Sequence, residues 1–169
     1  MPSPEYAVRS AIHADLDLIA RHRAEMFRDI DGLDDVVCAS LLDASRRALD
    51  PLLRTGDYLG WLAAPTNEPH RIVGGVGIRL RDTLPSVRRQ DEMVTITVGR
   101  QGLIVNVFVE RAWRRRGIAA LLMRALLHDV PRLQLASIVL HASPEGRALY
   151  QSLGFVATNE MRYFPPPVT

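Results

Sequence analysis

The sequence contains no lysine, so all 21 of its basic residues are arginine. Arginine keeps its charge at every physiological pH and presents a planar fork of hydrogen-bond donors. The chain therefore has no lysine amine for catalysis, and it cannot carry the phosphate-binding P-loop, whose glycine-rich turn ends in lysine. The formal net charge of +2 is too small to require a nucleic-acid partner.

Cysteine and long apolar runs are also scarce. The single cysteine, Cys38, excludes an internal disulfide and is typical of a reducing compartment. No apolar run is long enough to cross a bilayer, and the N-terminal residues lack the pattern of a secretory signal. We therefore expect a cytoplasmic protein with no membrane partner, and its ordinary length predicts a single domain over residues 1–169.

The first half of the chain shows patterns of both helices and strands. Residues 5–11 are interpreted as a strand, and two helical patterns follow, the first from His13 to about Asp29 and the second from an N-cap at Asp34. Pro51 is expected to end or kink the second helix. Residues 57–64 and 71–80 are interpreted as paired strands. Three glycines within "RIVGGVGIRL" indicate a bulge or the close approach of another group.

The second half is predicted to alternate strands and helices more regularly. Residues 81–92 are interpreted as a polar loop, and the strands at 93–98 and 103–109 are interpreted as a hairpin. A helix begins after Gly117 and is expected to end at Pro131. A strand, a helix from Pro144 to a cap at Gly154 and a last strand at 155–164 complete the order. This order predicts a mixed α/β or α+β sheet rather than a repeating parallel one.

The stretch "VFVERAWRRRGIAALLMRALL" places three consecutive arginines against a glycine between a strand and a helix. The first amides of a helix have no partner inside it, and the helix dipole adds partial positive charge there, so an anion fits that position. Gly117 leaves the backbone accessible, and Arg114, Arg115 and Arg116 add charge. A linked pair of phosphates would suit the site, whereas a solvated turn and a DNA-binding arginine run remain alternatives.

Together with "SPEGRALYQSLGF", this stretch resembles the GNAT superfamily of acetyl-CoA-dependent N-acyltransferases. Arg114, Gly117 and Ala119 occupy the three positions of the family's pyrophosphate-loop signature. The later segment matches at four further positions, which are Leu149, Tyr150, Gly154 and Phe155. The resemblance implies an α/β (α+β) fold with a mostly antiparallel, twisted sheet, about four flanking helices and a splayed central pair of parallel strands.

The resemblance also implies where acetyl-CoA would bind, with no metal involved. The backbone of Val107, Phe108 and Val109 would pair with the pantetheine arm, and an N–H in this stretch, that of Val109, would hold the developing oxyanion. The pyrophosphate loop comprises Arg114, Arg115, Arg116, Gly117, Ile118 and Ala119. Ser143 stands where many members carry asparagine, and Arg111 stands where many carry proline.

Tyr150 is interpreted as the proton donor to the departing thiolate, with packing beneath the cofactor as the alternative. The candidates for the general base are Glu110 at the end of the strand, His141 and Glu92, and some enzymes of this kind use only ordered water. Acids between the first two helices could attract a cationic amine, although caps and a solubilising loop also explain them; these are Asp29, Asp31, Asp34 and Asp35.

The resulting hypothesis is an N-acetyltransferase that moves an acetyl group from acetyl-CoA to a primary amine by direct transfer in a ternary complex. The acceptor would be a small molecule or a peptide, and the resemblance allows a homodimer. The alternatives are an enzyme for a different acyl group or a hydroxyl acceptor, a catalytically silent CoA-binding sensor, and a nucleic-acid binder that uses the arginine run.

Overall fold

The computed structural model describes residues 5–158 and 160–165, which form seven strands and four α-helices. The elements of the first half are β1 (Tyr6–Ser10), α1 (Leu16–Asp31), α2 (Asp35–Thr55), β2 (Tyr58–Pro65) and β3 (Gly74–Asp82). Those of the second half are β4 (Ser86–Gln90), β5 (Met93–Thr97), β6 (Arg100–Val109), α3 (Ile118–Leu133), β7 (Ser137–Leu140) and α4 (Arg147–Ser152). None of the helices in this part of the chain has both the length and the apolarity needed to cross a membrane.

Five strands form the main sheet in the order β1-β2-β3-β6-β7. Neighbouring strands are antiparallel except for the last pair, β6 and β7, which are parallel. The structure confirms the mixed, mostly antiparallel sheet with a parallel pair and four α-helices.

Helices cover both faces of this sheet. Ile118, Leu122 and Leu126 of α3 pack with Ile104 of β6 in one cluster, and α1 and α2 form a second cluster around Tyr58. Val105, the residue after Ile104, packs against the second cluster. Because successive residues of a strand point to opposite faces, α3 lies on one face of the sheet and α1 and α2 lie on the other.

Strand β6 has a parallel partner along only part of its length. Its pairing with β7 runs from Gln101 opposite Ser137 to Ile104 opposite Leu140, where β7 ends. Strand β6 continues to Val109 and stays paired with β3 on its other side. The parallel pair therefore opens beyond Ile104, and the backbone of residues 105–109 borders the gap.

A bulge at Asn106 marks the point where the pair opens. Asn106 is buried with φ of 58°, and the register between β3 and β6 shifts there. Its Nδ2 donates to Tyr58 Oη over 3.0 Å, and Arg23 Nη1 donates to its Oδ1 over 2.7 Å. Burial raises the pKa of Tyr58 to about 12, so the phenol is protonated. This network holds a conformation that only a few non-glycine residues adopt.

The glycines of β3 provide the close approach expected of them, and the bulge lies opposite them, on β6. The register shift lies between Gly75 and Gly77. A Cβ atom on Gly77 would lie 2.0 Å from Tyr58 Oη, so only glycine leaves room for the buried phenol.

Neither Pro51, predicted to end or kink its helix, nor Pro131, predicted to end its helix, is a helix end. Pro51 lies inside α2, which continues to Thr55, and Pro131 lies inside α3, which continues to Leu133. In α2, Leu52 and Leu53 follow the proline and pack against the core. This packing offsets the hydrogen bond that a proline removes from a helix.

Three further predictions about the second half are wrong. Residues 81–92 contain strand β4, which pairs with β5 in a separate two-stranded sheet. Strand β6 pairs with β3 and β7 instead of forming the expected hairpin with β5. Residues 155–158 and 160–165 form no strand. Phe155 packs against the core, but Tyr163 and Phe164 are exposed, so most of the alternating pattern there has no core to face.

Candidate active site

Two adjoining cavities open where β6 separates from β7. The larger has a volume of about 770 Å³ and the smaller a volume of about 340 Å³. Asp29, Phe108 and Arg114 line both of them. Tyr150 lines the larger cavity. So do most of the residues that the sequence marked for cofactor binding, namely Val107, Phe108, Val109, Arg114, Arg115, Gly117, Ile118, Ala119 and Ser143.

The start of α3 presents backbone amides to the larger cavity. The first hydrogen bond inside the helix runs from Leu121 N to Gly117 O over 3.0 Å, so the amides of Ile118, Ala119 and Ala120 precede it. Gly117 has φ of 78°, and a Cβ built on it would meet no atom within 4 Å. The geometry therefore supplies unpaired donors, a helix dipole and open space, which together suit an anion.

The three consecutive arginines have three different environments. Arg114 Nε donates to Val109 O over 2.9 Å, and Arg114 Nη2 pairs with Asp29. Arg115 lines the larger cavity and has φ of 63°. Arg116 lies 4.9 Å from the ring centroid of Trp113 and lines neither cavity. Arg114 thus fixes the loop to the end of β6, and only Arg115 of the other two faces the cavity.

The backbone of Val109 faces the gap between β6 and β7. Glu110 N donates to Val73 O over 2.9 Å, and Val109 lies opposite Gly74 in the ladder. In an antiparallel pair this pattern makes Val109 a residue whose own N–H and C=O point away from the partner strand. The carbonyl accepts from Arg114 on that side, and the N–H points into the same gap. This N–H can stabilise negative charge that develops on an oxygen.

Tyr150 and Ser143 lie on the far wall of the larger cavity. Burial raises the pKa of Tyr150, so its phenol is protonated at neutral pH and can donate a proton. Its ring meets Phe155 edge-on, with the centroids 6.2 Å apart. Ser143 Oγ accepts from Gly146 N over 3.2 Å, so this side chain also shapes the turn that leads into α4.

Glu110 lies in the smaller cavity, next to Phe108. Its side chain is about a quarter exposed (28%), and Arg21 lies 3.4 Å from its Oε1. The rest of this wall comes from α1 and from the turn after β6: Glu25, Arg28, Asp29, Arg111 and Arg114. Of the candidate bases, Glu110 is therefore the one beside the junction of the two cavities.

His22 lies beneath Glu110 and was not identified from the sequence. The ring is buried against Phe108, with centroids 5.1 Å apart, and its Nε2 lies 3.8 Å from Glu110 Oε1. Burial, with a smaller effect from Arg21, lowers the pKa of His22 to about 4, so the imidazole is neutral at physiological pH. A signal for this wall was present, because Arg21, Glu25, Arg28 and Asp29 follow helical spacing along one face of α1.

The other candidate bases and acids lie elsewhere. His141 Nε2 pairs with Glu160 Oε1 over 2.8 Å at the surface, and neither His141 nor Glu92 lines either of the two cavities described above. Asp34 caps α2 by accepting from Val37 N. Asp31 is the last residue of α1, and Asp35 pairs with Arg28 over 2.9 Å. Asp29 does line the site, but Arg111 and Arg114 both bind it, so its charge is already neutralised.

Comparisons of sequence and of structure with known proteins point to the same family. A family model described as an acetyltransferase (GNAT) domain matches residues 77–165. A GCN5-related N-acetyltransferase from Ralstonia eutropha is 32% identical with a TM-score of 0.77, and the match covers 95% of this chain and 98% of that one. No curated protein sequence matches the chain significantly.

Two more distant structures share the fold. A predicted acetyltransferase with acetyl-CoA from Clostridium acetobutylicum is 24% identical with a TM-score of 0.75, and the match covers 95% of this chain and 96% of that one. A possible acetyltransferase from Clostridium difficile is 18% identical with a TM-score of 0.71, and the match covers 98% of this chain and all of that one (100%).

Proposed function

Because the chain belongs to the GNAT acetyltransferase family, we propose that it moves an acetyl group from acetyl-CoA to a primary amine by direct transfer in a ternary complex. The observation that carries this proposal is the meeting of two cavities at Phe108, between the protonated Tyr150 on one side and the carboxylate Glu110 on the other. Two cavities that join at one point allow both substrates to be bound when the group moves.

The larger cavity has the features needed to hold acetyl-CoA. The amides of Ile118, Ala119 and Ala120 and the guanidinium of Arg115 would bind the diphosphate, since they offer donors and positive charge around open space at Gly117. The gap-facing backbone of β6 would pair with the pantetheine arm as an added strand does. Acetyl-CoA supplies the activated thioester when bound.

The residues at the junction can complete the transfer. Glu110 takes a proton from the acceptor amine, whose nitrogen forms a bond to the thioester carbon. The N–H of Val109 stabilises the oxyanion that develops on the carbonyl oxygen. The carbon–sulfur bond then breaks, and Tyr150 gives its proton to the departing thiolate. The products are an amide and free coenzyme A, and exchange with water removes the proton from Glu110 and returns one to Tyr150, so atoms and charges balance.

The direct test is release of free thiol from acetyl-CoA in the presence of a panel of primary amines and of the matching alcohols. We expect release with at least one amine and none with its alcohol, and intersecting rather than parallel initial-velocity lines. A CoA-binding sensor would take up coenzyme A without releasing thiol. An enzyme for another acyl group would respond to a longer-chain thioester only, and either result contradicts the proposal.

A further inference from the structure

We propose that the acceptor is a zwitterion, a small primary amine that also carries a carboxylate or a phosphate. The inference rests on the proposed function and concerns the smaller cavity, which adjoins the coenzyme cavity at Asp29, Phe108 and Arg114. Its volume of about 340 Å³ is at the lower end of the range for small-molecule sites, so the acceptor is a small molecule.

The cavity wall is dense in charges of both signs. Four arginines and three carboxylates line it, and Phe108 is the one apolar residue among the lining residues; the charged ones are Arg21, Arg28, Arg111, Arg114, Glu25, Asp29 and Glu110. Asp35, which binds Arg28 over 2.9 Å, adds a fourth carboxylate beside the wall, so the formal charges cancel. A neutral wall built from separated charges suits a ligand that carries both signs, because each ligand charge can be paired.

The anionic group belongs near Arg111. Arg114 is fixed by Val109 O and Asp29, and Arg28 is engaged by Asp35 and by Cys38 Sγ. Arg111 uses only Nη2, on Asp29, and its side chain is 79% exposed, so its other donors reach the mouth of the cavity. Arg111 can therefore donate two hydrogen bonds to one anion while it keeps its ion pair with Asp29.

The amine belongs deeper, near Glu110. This carboxylate is less exposed than Arg111 and lies beside Phe108. Its contact with Arg21 is long, at 3.4 Å. An ammonium group can therefore approach it, while a carboxylate or phosphate on the same molecule points outward to Arg111. A polycation would place its further charges against the four arginines, and an apolar amine would offer no partner to the remaining donors of Arg111.

The test compares acceptors that differ only in the anionic group. The probes are 4-aminobutyrate against butylamine, L-alanine against isopropylamine, and O-phosphoethanolamine against ethanolamine, each with acetyl-CoA and detection of free thiol. We expect kcat/KM to favour the anionic member by about tenfold or more in at least one pair, as one charged hydrogen bond to the anion provides. No preference in any pair, or a preference for the neutral members, overturns the inference.

Substitution of Arg111 shows whether the preference comes from this wall. In Arg111→Gln the ratio of the two kcat/KM values should fall toward one, and Arg111→Lys should restore part of it. Arg132→Gln is a matched control, since Arg132 is also 79% exposed but lies on α3 outside both cavities, and it should leave the ratio unchanged. A preference that survives in Arg111→Gln overturns the placement of the anion.

A coenzyme A titration by calorimetry separates the two levels of proposal. Absence of coenzyme uptake, or of thiol release with every amine, overturns the proposed function and this inference with it. Coenzyme uptake and thiol release without any discrimination between paired acceptors overturn only the zwitterion. The same titration on each variant shows that it is folded.

Discussion

Strand β6 has two halves that differ in their neighbours. Residues 100–104, the closed half, lie between β3 and β7. Residues 105–109, the open half, are paired with β3 alone, and Val107, Phe108 and Val109 among them line the larger cavity. The first half reads Arg-Gln-Gly-Leu-Ile and the second Val-Asn-Val-Phe-Val, so the second is the more apolar. The closed half contributes stability, and the open half leaves backbone donors free for ligands. Whether a residue of β6 supports the fold or the site thus depends on whether it is paired with β7.

The boundary between the halves is built by polar side chains. Asn106, in a left-handed conformation, joins Tyr58 and Arg23 at the point where the ladder changes register. Because a bulge twists and re-aims the strand that carries it, this network determines which backbone groups of the open half face the gap. The buried polar residues of this region therefore position the site without contacting the reacting atoms.

The largest expected effect is on the coenzyme side of the open half. Gly117→Glu should raise the coenzyme A Kd by at least about 100-fold, because a carboxylate would occupy the place of the diphosphate among the helix amides. Calorimetric titration with coenzyme A measures this.

Gly56→Glu is the control for Gly117→Glu. Gly56 has φ of 76°, close to that of Gly117, and a Cβ on either residue meets nothing within 4 Å. Both substitutions therefore carry the same backbone strain and charge, but Gly56 follows α2 and lines neither cavity. Equal Kd values for Gly117→Glu and the unsubstituted protein would show that the start of α3, next to the open half, is not a diphosphate site.

The next effect separates the two bases that the sequence could not rank. Glu110→Gln should lower kcat about 100-fold, as loss of a general base does, and should flatten the rate against pH on its acidic side. His141→Ala should change neither, because His141 pairs with Glu160 at the surface, outside both cavities. If kcat falls in His141→Ala and not in Glu110→Gln, the general base does not lie beside the open half, and the assignment of Glu110 is wrong.

The closed half should respond in stability rather than in binding. A Cβ on Gly102 would lie 2.4 Å from Ile78 Cδ1 and 2.8 Å from Leu135 Cδ1, and Ile78 is fully buried. Gly102→Ala should therefore lower the free energy of unfolding by about 2 kcal/mol while the coenzyme A Kd stays constant. Urea unfolding and calorimetry measure the two quantities.

A second substitution tests the cause of that loss. Ile78→Val removes the Cδ1 atom that the new methyl group would meet. In the Gly102→Ala background it should cost less than its usual ~1 kcal/mol or even restore stability, since the closest contact of the new methyl group disappears. If the losses of stability from Gly102→Ala and Ile78→Val simply add, the contact with Ile78 is not the cause. If Gly102→Ala alters the coenzyme A Kd without a change in stability, the two halves of β6 are not distinct.

Most of the residues that the sequence marked for coenzyme binding line the larger cavity, whereas the wall of the smaller cavity was largely missed. The predicted coenzyme loop is contiguous, so an arginine run, a glycine and a helical period lie within a few residues of each other. The acceptor wall joins α1 to the end of β6, and its contacts Arg21–Glu110 and Asp29–Arg114 span 89 and 85 residues. Local periodicity carries no information about which distant face a helix will meet, so His22 and Arg21 went unrecognised.

The errors in the fold have the same origin. The pattern of β5 and β6 fits a hairpin, but β6 is selected by the core that it shares with β3 and α3. Strand β4 is mostly polar, Ser86, Val87 and Arg89 are exposed, and the strand pairs with β5 outside the main sheet, so its sequence offers little of the apolar face by which strands are recognised.

The smallest expected effect concerns the far wall of the open half. Tyr150→Phe should lower kcat about tenfold and change the coenzyme A Kd by no more than about twofold, because a thiolate with a pKa near 8.5 is already a fair leaving group. Tyr163→Phe is the matched control, since Tyr163 is exposed and lies outside both cavities. If kcat is unchanged and only the Kd rises, Tyr150 packs beneath the coenzyme instead of donating a proton. The open half would then contribute binding and oxyanion stabilisation, with solvent protonating the thiolate.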